Sequence, residues 1–361
     1  MKRLTLLILS VIVFANFASA NDTLRLVFLG DIMQHMPQIE AAKTSDGTYN
    51  YDSCFSFIKD EISYADFRIA NLEFTLAGAP YSGYPCFSAP DAIAEALQKA
   101  GIDLLTTANN HSCDRGAKGI ERTLDVLDEL DFYHLGTYRN LSEKTFLHPY
   151  IVETKGFRLA FLTYTYGTNG IPIPAPTIVN LIDTAQMSVD IELAKRYNPD
   201  MIICLIHWGQ EYQLKQNAEQ KKLADFMTSR GVKLIMGSHP HVIQPMETHT
   251  DSVGNITSAI TYSLGNAVSN QNGENTNIGA IAHIALAKND TATSIIDCKY
   301  SLILRHRPKE KGKTKYYIMP SNTLLNNRNL FNDIEYNSLS KTLESTRKRL
   351  KRDNINFEER K

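Results

Sequence analysis

The segment Gly237-Ser238-His239-Pro240-His241-Val242-Ile243-Gln244 sets two imidazoles one residue apart on a turn that a proline stiffens. Two imidazoles so placed can aim at one point and hold a cation, or they can be the solvated side chains of a polar turn. The rest of the chain chooses between these readings. The segment follows an apolar run, 232–236, and four other apolar runs end in the same manner. Residues 24–29 run into Gly30-Asp31, 67–70 into Asn71-Leu72-Glu73, 104–107 into Ala108-Asn109-Asn110-His111, and 201–206 into His207. A sixth run, 259–264, ends in Gly265-Asn266. Polar strand ends are ordinary turns when they occur singly. Several that finish in Asp, Glu, Asn or His, with four of the chain's ten histidines among them, read as one ligand cluster. Mixed imidazole and carboxylate donors without a thiolate set suit Zn, Mn or Fe rather than a structural cysteine site. Six or so donors exceed one four-coordinate ion. They fit two ions about 3.5–4 Å apart that share a carboxylate, the arrangement that clamps a phosphoryl or acyl oxygen and activates water. A histidine outside the ligand set then serves acid–base chemistry.

Such convergence needs strands whose carboxyl ends share a rim, and the chain has them. Strands at 24–29, 67–70, 104–107, 158–165, 201–206 and 232–236 alternate with helices at 91–100, 118–130, 187–197 and 218–230. The first helix starts at Pro90-Asp91 and stops before Gly101; the last stops before Gly231. Strands alternating with helices predict an α/β core with its sheet covered on both faces, and ligands bind beyond the carboxyl ends of such strands. After about residue 258 strands follow one another without helices: 259–264, 280–287, 294–304 and 315–319, with Asn289-Asp290 as a hairpin turn. These read as an antiparallel part of the same domain that closes a second sheet.

Composition and the termini bound the function. Net charge is −1 and 43% of the 361 residues are hydrophobic, which supports a sizeable core and gives no global pull toward nucleic acid. Met1-Lys2-Arg3, the apolar 4–14 and Ala18-Ser19-Ala20 form a secretory signal peptide with cleavage expected after Ala20. No later run is apolar over the ~18 residues that a membrane span needs. The expected mature chain is secreted or periplasmic, has no transmembrane segment, and divides into a domain over 21–320 and a basic helical tail over 321–361. In that tail Leu339, Leu343 and Leu350 share one face of a helix over 334–352, and Arg347-Lys348-Arg349 with Lys351-Arg352 make it basic. A second basic patch lies in a hairpin loop at 305–315. Both patches are solvated surface or contacts for an anionic polymer or lipid head group. The five cysteines leave at least one unpaired; Cys204 reads as a small core residue, and Cys54 with Cys86 is a candidate bridge.

The ordered stretches "FLGDIM", "ANLEFTL", "FSAPDAIAEALQKAGIDLLTTANNHSCDRG", "HWGQEY", "GSHPHVIQ" and "YSLGN" resemble the bacterial capsule-synthesis CapA family, associated with poly-γ-glutamate, within the calcineurin-like metallophosphatase superfamily. The resemblance runs from about Leu24 to Asn266. It implies a four-layer α/β/β/α sandwich of two facing mixed sheets with helices outside. It implies that Asp31 and His241 hold one divalent ion, that Asn110, His207 and His239 hold the other, and that Glu73 bridges them where Asp is usual. His111 would protonate the leaving group, Asp114 would orient it, and Asn109 and Asn266 would bind substrate. One departure stands out: the usual histidine two residues after the first Asp is Met33, and His35 is the nearest substitute.

Three functions follow as expectations. The leading one is a secreted hydrolase with two divalent ions (Mn, Zn or Fe). It acts on a phosphoester or amide of an anionic cell-surface polymer or its precursors, beside capsule-synthesis membrane proteins and without nucleic acid. The others are a non-catalytic polyanion-binding assembly factor on the same fold, and an exported phosphoesterase for small nucleotides or lipids.

Overall fold

Alternation along a strand sorts its side chains onto two faces, and the buried clusters follow that sorting. In the computed structural model, which describes residues 22–360 apart from Thr291 and Lys311, Leu24, Leu26 and Phe28 face one way and Val27 and Leu29 the other. The expected signal peptide lies outside the described residues. Leu24, Leu26 and Phe28 meet Phe67, Ile69 and Leu104 from their own sheet and Leu159, Phe161, Ile203, Leu205, Leu234 and Met236 from another. That shared cluster is the inter-sheet core. On the far side of the first sheet, Val27 and Leu29 pack with Ile93, Leu97 and Leu127 of the helices Ala92–Ala100 and Gly116–Glu129. On the far side of the second, Cys204 and Ile206 pack with Met187, Ile191, Leu223 and Met227 of the helices Thr184–Arg196 and Ala218–Thr228. Helices, sheet, sheet and helices make the four-layer sandwich that the sequence led us to expect.

In the first sheet Tyr133–Leu135, Leu104–Thr106, Phe67–Leu72 and Asp22–Ile32 run parallel in that order, and Ile278–Lys288 and Thr293–His306 continue it antiparallel. In the second, Ile256–Thr261, Leu234–Ser238, Met201–His207 and Phe157–Thr165 run parallel, flanked antiparallel by Met246–Thr250 and Tyr150–Thr154. A single register pair, Ile256 opposite Ile295, joins the sheets into one hydrogen-bonded path. The late strands therefore do not close a second sheet on their own. Ile256–Thr261 joins the second sheet, whereas the long hairpin of Ile278–Lys288 and Thr293–His306 completes the free edge of Asp22–Ile32. Its turn does carry Asn289, whose N–H donates to Ala292 O.

The helix ends follow from local chemistry. Gly101, at φ +93°, closes Ala92–Ala100, and Asn217 with Gln220 forms a capping box on Ala218–Thr228. At the other end of the chain, the helix Asp333–Asp353 buries Leu339, Leu343 and Leu350 in the same cluster as the inter-sheet core. Its basic residues divide. Lys348, Lys351 and Arg352 are exposed, Arg347 pairs with Glu359, and Arg349 turns inward. The 305–315 patch is a short hairpin, Lys309–Glu310 against Lys313–Thr314. All five cysteines are free, so the Cys54–Cys86 bridge is not formed: Cys54 is buried beneath the first sheet's helices and Cys86 is half-buried in a separate loop. Cys204 is a core residue, as expected. No helix among the described residues is long and apolar enough to cross a membrane.

At the carboxyl ends of the parallel strands the chain crosses between the sheets: Asn266–Val268 follows the second sheet's strand Ile256–Thr261 and pairs with Asp22–Ile32. A Cβ on Gly30 would stand 1.9 Å from Gly265 O, so only glycine permits this backbone contact. Gly30→Ala is expected to cost roughly 1–3 kcal/mol or more through overpacking. Gly167→Ala, whose Cβ meets nothing within 4 Å, is expected to stay within about 0.5 kcal/mol of wild type. Urea denaturation checks this, and equal midpoints for the two variants would refute the seam.

Candidate metal centre

The strand ends do converge, and they come from both sheets. Asp31 lies near the end of a strand of the first, and Glu73, Asn109, Asn110 and His111 follow its strands; His207 ends a strand of the second, and His239 and His241 follow another. Asn266 sits on the crossover strand, in register with Asp31. All nine are buried, as is Asp114.

Glu73 is at the middle. It has no exposure, and neither carboxylate oxygen has a hydrogen-bond partner. His207 Nε2 lies 3.6 Å and His241 Nε2 3.7 Å from Glu73 Oε1. Burial first, then the charges of Asp31 and Glu211, push the Glu73 carboxyl well above its usual range. The close donor sets are Glu73 with His239 and His241, and Asp31 with Glu73 and His207, each set lying within 4.8 Å. These sets cut across the pairing that the resemblance implies, which put Asp31 with His241 and His207 with His239. Glu73 is common to both sets.

Hydrogen bonds settle which imidazole atom faces inward. His241 Nδ1 has two acceptors, Asp31 Oδ2 at 3.2 Å and Asn266 Oδ1 at 3.1 Å. It therefore carries the proton and leaves the Nε2 lone pair turned to Glu73. His207 Nδ1 lies 2.9 Å from Ser238 Oγ, and its Nε2 is 2.9 Å from Asn110 Oδ1. His239 Nδ1 is buried without a partner. Burial first, then neighbouring histidines, lowers the pKa of His207 well below 6.5, and burial with His241 lowers that of His239 to about 3. Buried neutral imidazoles are the form that binds cations. An unpartnered buried carboxylate, an unpartnered buried imidazole nitrogen and further oxygen donors therefore fit divalent ions.

The remaining candidates are placed as follows. Asp31 accepts from Asn71 Nδ2 at 2.8 Å as well as from His239 N and His241, so it orients the histidine turn. Asn110 Nδ2 donates to Asn169 Oδ1 at 3.2 Å, which turns its carbonyl oxygen to His207. His111 Nδ1 lies 2.8 Å from Asp114 Oδ2, which also accepts from Phe87 N at 2.7 Å. The Phe87 ring meets the His111 ring edge-on at 4.5 Å. Asn109 is committed to the protein: Nδ2 donates to Leu72 O at 2.8 Å and Oδ1 accepts from His111 N at 3.1 Å, so it shapes the turn that carries Asn110 and His111. Asn266 likewise orients His241 while its Nδ2 donates to Gln271 Oε1 and Thr276 O. Met33 is buried in the outer core of the first sheet. His35 Nδ1 faces Gln38 Oε1 and Asn270 N at the start of the helix Met36–Ala42, and burial first holds its pKa near 4.

Three contributors lie outside the expected set. Asn71 ties Asp31 to Thr106 and Asn109, and it stands two residues from Glu73 on an extended segment, a spacing that puts both side chains on one face. Ser238 directly precedes His239 and holds His207. Tyr166, the first residue after Phe157–Thr165, lays its ring 4.5 Å from that of His239. The strand-end rule that marked the other positions reaches Tyr166 as well.

The family described as Bacterial capsule synthesis protein PGA_cap matches residues 25–271, which include all ten candidate site residues. The Capsule biosynthesis protein CapA of Bacillus anthracis is 28% identical over 293 residues, covering 75% of this chain and 66% of that protein. The PGA biosynthesis protein CapA of Bacillus subtilis (strain 168) is 27% identical over 282 residues, covering 75% of this chain and 70% of that protein. The chain thus spans just under two thirds of the first relative's length. Among solved structures, the calcineurin-like phosphoesterase YfkN from Bacillus subtilis matches with a TM-score of 0.49 and 16% identity, covering 78% of this chain and 91% of that one. The NAD nucleotidase of Haemophilus influenzae matches with a TM-score of 0.47 and 12% identity, covering 95% and 65%. At these scores the two likenesses carry no weight beside the geometry itself. The family match runs from the first strand to just beyond Asn266, more than half of the sequence, and the chain belongs to the bacterial capsule synthesis protein PGA_cap family.

Proposed function

We propose that the chain is an exported, metal-dependent hydrolase that works on an anionic cell-surface polymer, or its precursors, during capsule synthesis. The observation that carries this reading is Glu73: a fully buried carboxylate with neither oxygen bonded, faced at 3.6 and 3.7 Å by imidazole nitrogens from two other strands. Oxygen and nitrogen donors without thiolate suit two divalent ions of Mn, Zn or Fe type. Asp31, Asn110, His207, His239 and His241 would hold them, with Glu73 shared. Divalent cations supply Lewis acidity there and lower the pKa of water.

The protein's own groups supply the rest. Asp114, fixed by Phe87 N, holds His111 through Nδ1, which leaves Nε2 as the atom that gives a proton to a leaving group. Phe87 packs on that imidazole and limits its motion. Asn71, Asn266 and Ser238 hold the ligand side chains in orientation. The names of the curated relatives, a capsule biosynthesis protein and a PGA biosynthesis protein, support a poly-γ-glutamate-type polymer as substrate. The basic-apolar-small pattern over 1–20 supports export.

A second reading has its own observation. Met33, where the resemblance implies a histidine ligand, is packed in the core, and this favours an assembly factor that holds polyanion without cleaving it. Metal analysis followed by a screen against polyglutamate and phosphodiesters separates the two. Turnover after Mn, Zn or Fe loading supports the hydrolase. Inert protein whose affinity for polyglutamate weakens with salt supports the assembly factor.

His111→Ala is expected to lose roughly 10²–10⁴-fold in turnover with metal content unchanged; undiminished turnover would remove His111 from the mechanism. Glu73 yields a pH prediction. A carboxyl whose folded pKa is raised stabilises fully below its unfolded value, and that contribution is lost as pH rises through the raised value. Metal-free wild type should therefore lose stability relative to Glu73→Gln as pH climbs above 4.5, the unshifted value. With Mn²⁺ present the order should reverse, because the variant lacks the shared ligand. Thermal melts across pH, in EDTA and in Mn²⁺, check both halves; parallel curves would refute the assignment of Glu73.

A further inference from the structure

Both histidines of the metal-centre turn are left-handed: His239 has φ +97° and His241 φ +58°. Non-glycine residues persist there only where the surroundings hold them. Pro240, between them, has no N–H with which to anchor the turn. Ties from the surrounding rim include His239 N to Asp31 Oδ2 at 3.2 Å, Trp208 N to Ser238 O at 3.1 Å, Tyr212 N to Pro240 O at 2.8 Å, Gln244 N to Ser263 O at 3.0 Å, Gln244 Nε2 to Gln213 O at 2.8 Å and Leu264 N to Gly237 O at 3.2 Å. Another comes from the far end of the chain. Arg349 Nη1, on the helix Asp333–Asp353, donates to Ile243 O at 2.8 Å and lies 3.5 Å from Leu214 O.

Arg349 is an unusual arginine. It is largely buried, and burial first holds its pKa below the usual guanidinium range. Nη2 is buried without a hydrogen-bond partner, and among the described residues no carboxylate lies within ion-pair distance. Taking an unpaired guanidinium out of water is unfavourable, so a surface role does not account for it. Its Nη1 instead sits between two backbone segments: the loop that leaves His207 and the turn that bears His239 and His241. The end of the same helix grips the strand that follows. Asn354 Oδ1 accepts from Met246 N at 3.0 Å, Ile355 N donates to Met246 O at 2.9 Å, and Thr248 N donates to Ile355 O at 3.0 Å.

We propose that Arg349 is a positioning residue of the centre: from the C-terminal helix, outside the family match, it clamps the backbone behind the histidine turn so that His239 and His241 stay aimed at Glu73. Its consequence for metal affinity rests on the metal reading above; the clamp itself does not.

The test uses the full chain with Arg349→Met, Arg349→Lys and, as control, the exposed Arg352→Met. Amide hydrogen exchange is followed in metal-free protein over 237–248 and over the strand 201–206, and Mn²⁺ affinity is titrated. Arg349→Met is expected to speed exchange over 237–248 and to weaken Mn²⁺ binding by about tenfold or more, the size of one charge-assisted hydrogen bond, while 201–206 is unchanged. Arg349→Lys, which can still reach one carbonyl, should recover part of both; Arg352→Met should match wild type. Exchange that rises equally in both segments, or a lysine variant no better than methionine, overturns the clamp. If Arg349→Met does not fold, the lysine variant carries the same comparison: faster exchange confined to 237–248 supports the clamp, and uniform or unchanged exchange overturns it. Wild-type protein that binds no Mn²⁺ sinks the metal reading, while the exchange comparison still decides the clamp.

Discussion

A carboxylate removed from water and left without a hydrogen bond is among the least favourable groups a protein can bury. Glu73 is such a group, and the chain closes two sheets around it. One near neighbour, His241 Nε2, is a lone-pair nitrogen rather than a donor, because Asp31 and Asn266 take the proton of His241 on the opposite side of the ring. The interior at this point is arranged for a cation. The low pKa values of His207 and His239 express the same condition, since burial that disfavours a proton there leaves the nitrogens free as ligands.

Bringing side chains from two sheets to one carboxylate requires the backbones to nearly touch. Gly30 against Gly265 permits an approach that any Cβ would block. The left-handed histidines are the counterpart: at the point of closest approach the chain turns too tightly for an extended backbone, and hydrogen bonds from every side hold the turn. Rigidity matters here because ligand side chains that wander do not bind metal well.

Much of this was legible in the sequence. The parallel strands were visible as apolar runs with polar ends, and the helices Ala92–Ala100 and Ala218–Thr228 through their caps and glycines. The short strands Tyr133–Leu135 and Asn266–Val268 were not, since three residues carry no periodicity. Met246–Thr250 was hidden by its polar composition, METHT, which tertiary pairing overrides. The late hairpin was legible as strands but not as part of the first sheet, because pairing partners far apart in sequence leave no local mark. Asn71 and Tyr166 stood where the strand-end rule pointed; Arg349 stood in a run of basic residues that differ only in which way the helix turns them.

By itself, then, the sequence determined the residue types of the centre, their order, and the alternation that makes a layered α/β core, since these are properties of side chains and their spacing. Tertiary structure alone decided which donors stand together, that Asn109 and Asn266 brace the site through their amides, and that a basic tail helix turns one arginine inward behind the histidines. The reason is physical: grouping and orientation depend on how two sheets pack and on which hydrogen bonds remain once water is excluded, and neither is written in local spacing.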